Sequence, residues 1–457
     1  MAAPRLGWLL FPALLVCLPA ARAQVGSTVN CTAIPTGHID WPATNPIWSF
    51  DFVRPSRSSG SDGSGLELRN VYYNGDLVFK QAHVPILNVE YDPGGGCTCF
   101  RDWSDSEAGF RVRAQDPQPT GCFYVAVPGE VRTTCDSNME GGTGGDTGTF
   151  HGVAVEEFPG ELVLTTHMLA GWYRYRMKWH FYADGRIWPE YSFSAASATC
   201  TSAAHRHHVY WRFDFDINNT PNNDAVSEIN PALGSTTTFT NERSGTWGNP
   251  AHGVYWTILD AGTGNGYRLV PSSADLLLPA DFDGPSPALL DMALLRYVPG
   301  VVDDGSPSCA ISPSGLGLNN EAVSGQDVVF WYRSGALHNA GNPWECDIVG
   351  PMLNTFNPVT NEPPAPEMPG GVSLEAAYPN PFNPSTSVRF RVDALQHVTL
   401  TLHDALGRTV QTLFEGMVAA GRDEHVRIDG TNLPSGAYTV RLVGERAQAT
   451  TRVVLLK

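Results

Sequence analysis

From Trp41 onward the chain is a succession of short runs in which apolar and polar residues alternate, punctuated by Gly, Pro, Asn and Asp. A period of two is the mark of half-buried β-strands joined by turns. No long stretch carries the 3.6-residue spacing of an amphipathic helix. Leu66–Tyr73 and Asp76–Lys80 flank Asn74-Gly75, the pair favoured in a type I′ hairpin turn. Val84–Tyr91 reads as a further strand, followed by the loop Asp92–Gly96. The clearest hairpin runs from Glu161 to Ile187 and turns at Ala183-Asp184-Gly185. Within it Tyr173, Tyr175, Met177, Trp179 and Phe181 alternate with Arg174, Arg176, Lys178 and His180. The expected arrangement is an aromatic face in the core and a cationic face in solvent. Thr237–Ile258, Leu289–Tyr297 and Asp327–Tyr332 extend the same pattern.

The run His205-Arg206-His207-His208-Val209-Tyr210-Trp211-Arg212-Phe213-Asp214-Phe215-Asp216 is β-patterned but rich in ligand-type side chains. Residues two apart on a strand share a face. His205 and His207 form one such pair, Asp214 and Asp216 another. Their numbers differ in parity, so an unbroken strand turns the pairs to opposite sides. One strand thus offers a nitrogen site and an oxygen site.

The ends of the chain read differently. Residues 1–23 have Arg5, an apolar core from Leu6 to Leu18 and Ala21-Arg22-Ala23 before Gln24, the plan of a secretory signal peptide. No other segment is long and apolar enough for a transmembrane anchor. Residues 24–357 form the main domain. Residues 358–372 are a Pro-rich linker, extended and unable to build a core. Residues 373–457 show strands at short regular spacing, as in a small immunoglobulin-like β-sandwich. The fold class read from these features is all-β.

Composition adds three constraints. Gly 46 and Pro 35 in 457 residues suit a turn-rich β protein. The net charge of −17, more negative once Arg5 and Arg22 leave with the leader, argues against nucleic-acid binding. Of nine cysteines, Cys17 lies in the leader. Cys31, Cys97, Cys99, Cys122, Cys135, Cys200, Cys309 and Cys346 remain as an even set for disulfides in an oxidising compartment. Cys122–Cys135 is the pair expected from spacing. A zinc site on Cys97 and Cys99 is the poorly spaced alternative.

Two resemblances follow. Tyr378-Pro379-Asn380-Pro381-Phe382-Asn383-Pro384, Asp404-Ala405-Leu406-Gly407-Arg408, Leu433-Pro434-Ser435-Gly436-Ala437-Tyr438 and the ending Arg452–Lys457 resemble the C-terminal sorting domain of type IX secretion. That implies export by the type IX machinery, to the medium or the cell surface. Residues from about 40 to 358 resemble the catalytic domain of copper amine oxidases, a large antiparallel β-sandwich. The carriers are His205, His207, Arg212, Asp214 and Asp216 in a His-x-His … Arg-x-Asp-x-Asp pattern, then Asp327–Tyr332 with Gly335 and His338. The strands Gly65–Leu68, Val71–Tyr73 and Val89–Tyr91 add to them, and Glu345 and Asp347 stand near the family's later Glu-Asp pair.

Carried over, the resemblance implies that His205, His207 and His338 bind Cu(II), an ion suited to imidazole ligands. Asp214, Asp216, Asp327 and the carbonyls of Phe215 and Val328 correspond to a second, Ca²⁺-type site of hard oxygen ligands. Tyr173 corresponds to the precursor of topaquinone, with Trp172 and Arg174 where the family has Asn and an acid. Asp102, or else Asp105, corresponds to the catalytic base, and Phe79 to a tyrosine that hydrogen-bonds the quinone. The implied reaction takes a primary amine, O₂ and water to an aldehyde, ammonia and H₂O₂, in a homodimer. The alternative is a non-catalytic secreted β-sandwich that keeps the metal sites.

Overall fold

The structure is a computed structural model. It describes residues 26–29, 36–91, 97, 99–113, 116, 122–133, 148–158, 160–195, 200–219, 222–245, 252–272, 275, 290–307, 309, 311, 313–338, 347–356, 372–392, 396–404, 408–418, 423–444 and 448–457. The leader expected at 1–23 and residues 358–371 of the linker expected at 358–372 lie outside the described residues, as does Glu345, whereas Val372 opens the strand Val372–Leu374.

Two large sheets face each other. The first has ten strands, in the order Gly26–Val29, Thr36–Trp41, Trp48–Val53, Glu67–Tyr73, Asp76–Tyr91, His205–Phe215, Val328–His338, Met292–Arg296 and Arg243–Gly245, with Phe100–Asp102 paired off Asp76–Tyr91. The second has eleven. Its central part runs Met352–Phe356, Ile187–Ala195, Tyr173–Tyr182, Glu161–Ala170 and Val153–Phe158. One core lies between the sheets. Trp48, Phe50 and Trp211 from the first sheet meet Trp179, Phe181 and Tyr191 from the second, all fully buried. Among the described strands of these two sheets pairing is antiparallel except between Phe123–Ala126 and Val153–Phe158, which run parallel. Among the described residues no helix is long and apolar enough to cross a membrane.

Local chemistry fixes the hairpins. Asn74 and Gly75 both have positive φ (51° and 89°), which a type I′ turn requires. The strand that follows is continuous from Asp76 to Tyr91 rather than split at Val84. The segment expected as one hairpin is three strands with two turns. Ala170 pairs with Tyr173, so Gly171-Trp172 is a two-residue turn. Gly171 has φ 57° and Trp172 is not left-handed, the II′ pattern with glycine first. That turn makes Tyr173 the first residue of its strand.

The inward face of Tyr173–Tyr182 is aromatic, as its alternation predicts, but the other face is not simply solvated. Arg176 and His180 are buried. Arg176 pairs with Glu190, and His180 lies between Glu161 (2.8 Å) and Glu190 (3.1 Å). Acidic residues on the two neighbouring strands supply the pairing that buried cations require.

Cys97 is bonded to Cys200, and Cys99 to Cys309. The zinc alternative therefore fails: both sulfurs are committed to different partners. Cys122 is disulfide-bonded, while Cys135, its expected partner, lies outside the described residues.

The C-terminal strands form two smaller sheets. Val372–Leu374, Ser385–Val392 and Asp423–Asp429 make one; Thr409–Val418, Gln396–His403, Gly436–Val443 and Gln448–Leu455 make the other. Val388, Phe390, Leu400, Val440 and Val453 lie in a separate core between them.

Candidate metal and tyrosine centre

The site lies between central strands of the two sheets. On the first sheet, His205 is in register with His338 on one side and with Tyr91 on the other. Three adjacent strands therefore present Tyr91, His205 and His338 in one row, with His207 two residues along the same face. On this face Val209, Trp211, Phe213 and Phe215 continue into the core. His208 points the other way, between Glu90 (3.3 Å) and Arg333 (3.0 Å). The parity expectation for the His205–Phe215 strand therefore holds.

His205, His207 and His338 are buried, and each offers a ring nitrogen within 4.8 Å of the others. His205 Nδ1 donates to the Ala203 carbonyl (2.8 Å), which leaves Nε2 as the lone-pair end, 3.0 Å from His338 Nδ1. Such a bond fixes the tautomer of a metal-binding imidazole. His207 Nε2 is buried without a hydrogen-bond partner among the described residues. Burial, then the neighbouring histidines, hold His207 far below the usual imidazole range. Burial likewise lowers His205, against the Ala203 hydrogen bond. Neutral imidazoles with converging lone pairs are a donor set that fits Cu(II).

The second sheet supplies the tyrosines. The Tyr173 ring lies 4.7 Å from that of His207 and 5.7 Å from that of His205, centroid to centroid. Tyr91 Oη and Tyr173 Oη are 2.6 Å apart. Trp172 Nε1 donates to Tyr91 Oη at 3.3 Å from the exposed turn. Burial, then the Tyr91 hydroxyl, raise the Tyr173 phenol far above its ordinary range. Phe193 stacks on His207 at 3.8 Å.

Asp102 is buried, and Tyr175 Oη donates to its Oδ2. The same hydroxyl lies 3.5 Å from His207 Nδ1. Burial pushes the Asp102 carboxyl up to about 7, with the Tyr175 hydrogen bond pulling the other way. Asp105, the other base candidate, is exposed and contacts Ser106. Phe79 does not reach Tyr173: its ring packs on Phe213, Phe215 and Tyr267. It is Tyr91, and not the residue at position 79 that the resemblance implies, that meets the Tyr173 hydroxyl.

Asp214, Asp216 and Asp327 form the second cluster, with carboxylate oxygens within 4.8 Å of one another. Phe215 and Val328 are register partners between them. Burial first, then neighbouring carboxylates, raise Asp327 to about 7. Burial raises Asp214 to about 7 despite Arg212. Asp224, absent from the sequence motif, is buried beside them. Burial, then Asp216 and Asp327, push it up to about 9.

Residues 376–456 match the family described as the secretion system C-terminal sorting domain. The chain is thereby marked for type IX secretion, to the cell surface or beyond. No curated protein matches it. Among solved structures it is similar to a copper-containing benzylamine oxidase from Hansenula polymorpha, with TM-score 0.49 and 14% identity over 70% of this chain and 59% of that one. An amine oxidase from Aspergillus nidulans gives 0.46 and 14%, over 79% and 56%. A lysyl oxidase from Pichia pastoris gives 0.43 and 12%, over 70% and 52%. The chain spans less than two thirds of the length of each.

Proposed function

We propose that the protein is a secreted, copper-dependent primary-amine oxidase in which Tyr173 is the precursor of a topaquinone. The observation that carries this reading is the position of the Tyr173 ring. It lies against two of three converging imidazoles, with its hydroxyl on Tyr91 and an acid of raised pKa one tyrosine away. His205, His207 and His338 would hold the copper. The copper and quinone together would supply the redox chemistry that carries electrons from a primary amine to O₂.

The chain's own residues account for the rest. Tyr91 orients the Tyr173 hydroxyl, and Trp172 holds Tyr91 from the turn. Asp102 is the general base that removes the proton from the carbon bearing the amine. A carboxyl near 7 is matched to that task at neutral pH, because both its proton-bound and proton-free forms are accessible. Tyr175 links Asp102 to the copper ligand His207. The packed aromatic walls keep bulk water from the centre.

One observation favours a second reading, a non-catalytic metal-binding β-sandwich. Trp172 and Arg174 flank Tyr173 where the oxidase motif has Asn and an acid. Aerobic turnover separates the two. The copper-loaded protein is expected to release H₂O₂ and aldehyde from a primary amine, and Tyr173→Phe to abolish release while still binding copper. Copper binding without turnover by the native chain would favour the second reading.

A further inference from the structure

The outer face of the second sheet is buried at its Glu161–Tyr182–Trp188 end, and residues of the C-terminal module lie against it. Asp423, at the start of the strand Asp423–Asp429, is 1% exposed. Three arginines meet its carboxylate: Arg391 (2.9 Å) and Arg389 (3.9 Å) from the module, and Arg186 (3.2 Å) from the main domain. Arg389 also lies 3.6 Å from Glu161 of the main domain. Glu161 in turn binds His180, which binds Glu190, which binds Arg176. Charges alternate in sign from Arg186 through Asp423, Arg389 and Glu161 to His180. Beside this chain, His425 of the module stacks on Trp188 (5.9 Å between centroids, 16° between planes), and Trp188 stacks on His180 (4.7 Å).

We propose that this chain of charges is a non-covalent clasp, and that the sorting module remains bound to the main domain after the linker between them is cut. A buried carboxylate needs its cations, and one of the three that serve Asp423 belongs to the other domain. Glu161 likewise gains a cation from the module. Charge and shape commit the partner of this sheet face to the chain's own module. Release of the module is then a two-step event: cleavage of the linker, then opening of the clasp. The inference does not depend on the chemistry proposed for the copper centre.

The test uses the full chain with a protease site inserted within residues 358–371. After complete cleavage, gel filtration is expected to show the module co-eluting with the main domain. Arg186→Ala and Asp423→Ala are each expected to weaken the association by at least about tenfold on dilution, as truncating one member of a desolvated charge pair does. Asp423→Glu should restore it in part, and Arg408→Ala, on the exposed surface of the module, should leave it unchanged. Circular dichroism checks folding, and Arg186→Ala carries the test if Asp423→Ala unfolds the module. Separate elution of the native fragments, or Arg186→Ala fragments that stay together as tightly as native ones, would overturn the proposal.

Discussion

Tyr91 and Tyr173, on opposite sheets, meet hydroxyl to hydroxyl at 2.6 Å. The contact ties the tyrosine beside the histidines to the strand next to theirs, since Tyr91 is in register with His205. Tyr91→Phe removes one hydrogen bond at a cost on the order of 1 kcal/mol, so the fold should persist. The expected result is unchanged copper content by elemental analysis, with slower quinone formation and lower kcat. Trp172→Phe keeps the ring and removes the N–H donor, and should move the same readouts in the same direction by less.

As the proposed base, Asp102 should set the pH dependence of turnover. Its carboxyl titrates near 7 because it is buried, and only the ionised form accepts a proton. Activity should therefore rise with pH through about 7 and fall roughly tenfold per unit below it. The stability contribution has the opposite sign. The folded state keeps this proton at pH values where the unfolded chain has lost it, so the contribution declines as pH rises from the ordinary carboxylate range toward 7. Asp102→Asn should abolish turnover and make the decline in denaturation midpoint toward pH 7 smaller without removing it, since Asp214, Asp327 and Asp224 are raised as well; kcat/KM of the native protein and denaturation midpoints of both proteins across pH read these outcomes.

The fold was largely legible. Alternation along Tyr173–Phe181 identified the buried aromatic face, and Asn74-Gly75 the turn. The histidine and aspartate pairs were legible because their ligands recur two residues apart, and the distant segment 327–338 carries both missing partners. Tyr91 was harder. Phe79 and Tyr91 share one strand and one parity, so pattern alone cannot choose between them. Yet they stand about 40 Å apart along a strand of ~3.3 Å rise per residue. Only the register of Tyr91 with His205 decides. The burial of Arg176 and His180 was hidden for a similar reason. It depends on Glu161 and Glu190 across two strands and on a module more than two hundred residues away.

The aspartate cluster should bind a hard cation. Asp214, Asp216, Asp327 and the adjacent Asp224 repel one another when ionised, and Ca²⁺ would relieve that repulsion. Free Ca²⁺ at a hundred times its Kd should stabilise the fold by about 2.7 kcal/mol. Differential scanning calorimetry should show a raised Tm with Ca²⁺ in the native protein and a much smaller rise in Asp327→Ala.

The two cross-links tie the segment before Asp102 to its neighbours. Cys97–Cys200 and Cys99–Cys309 close sequence separations of 103 and 210 residues. Replacing Cys97 and Cys200 by Ser should cost about 2–5 kcal/mol of stability, measured by chemical denaturation. Activity and copper content should both fall, because one end of this cross-link precedes Asp102 and the other anchors the turn whose Ala203 carbonyl holds His205.

Tyr173 is the tyrosine proposed to become a quinone under copper. The most direct measurement is reconstitution of the apo protein with Cu(II) in air, followed by a quinone redox stain and mass analysis of the peptide containing Tyr173. A positive stain and a Tyr173 peptide heavier by two oxygens less two hydrogens are expected, both lost in His207→Ala. An unmodified Tyr173 in fully copper-loaded native protein would contradict it.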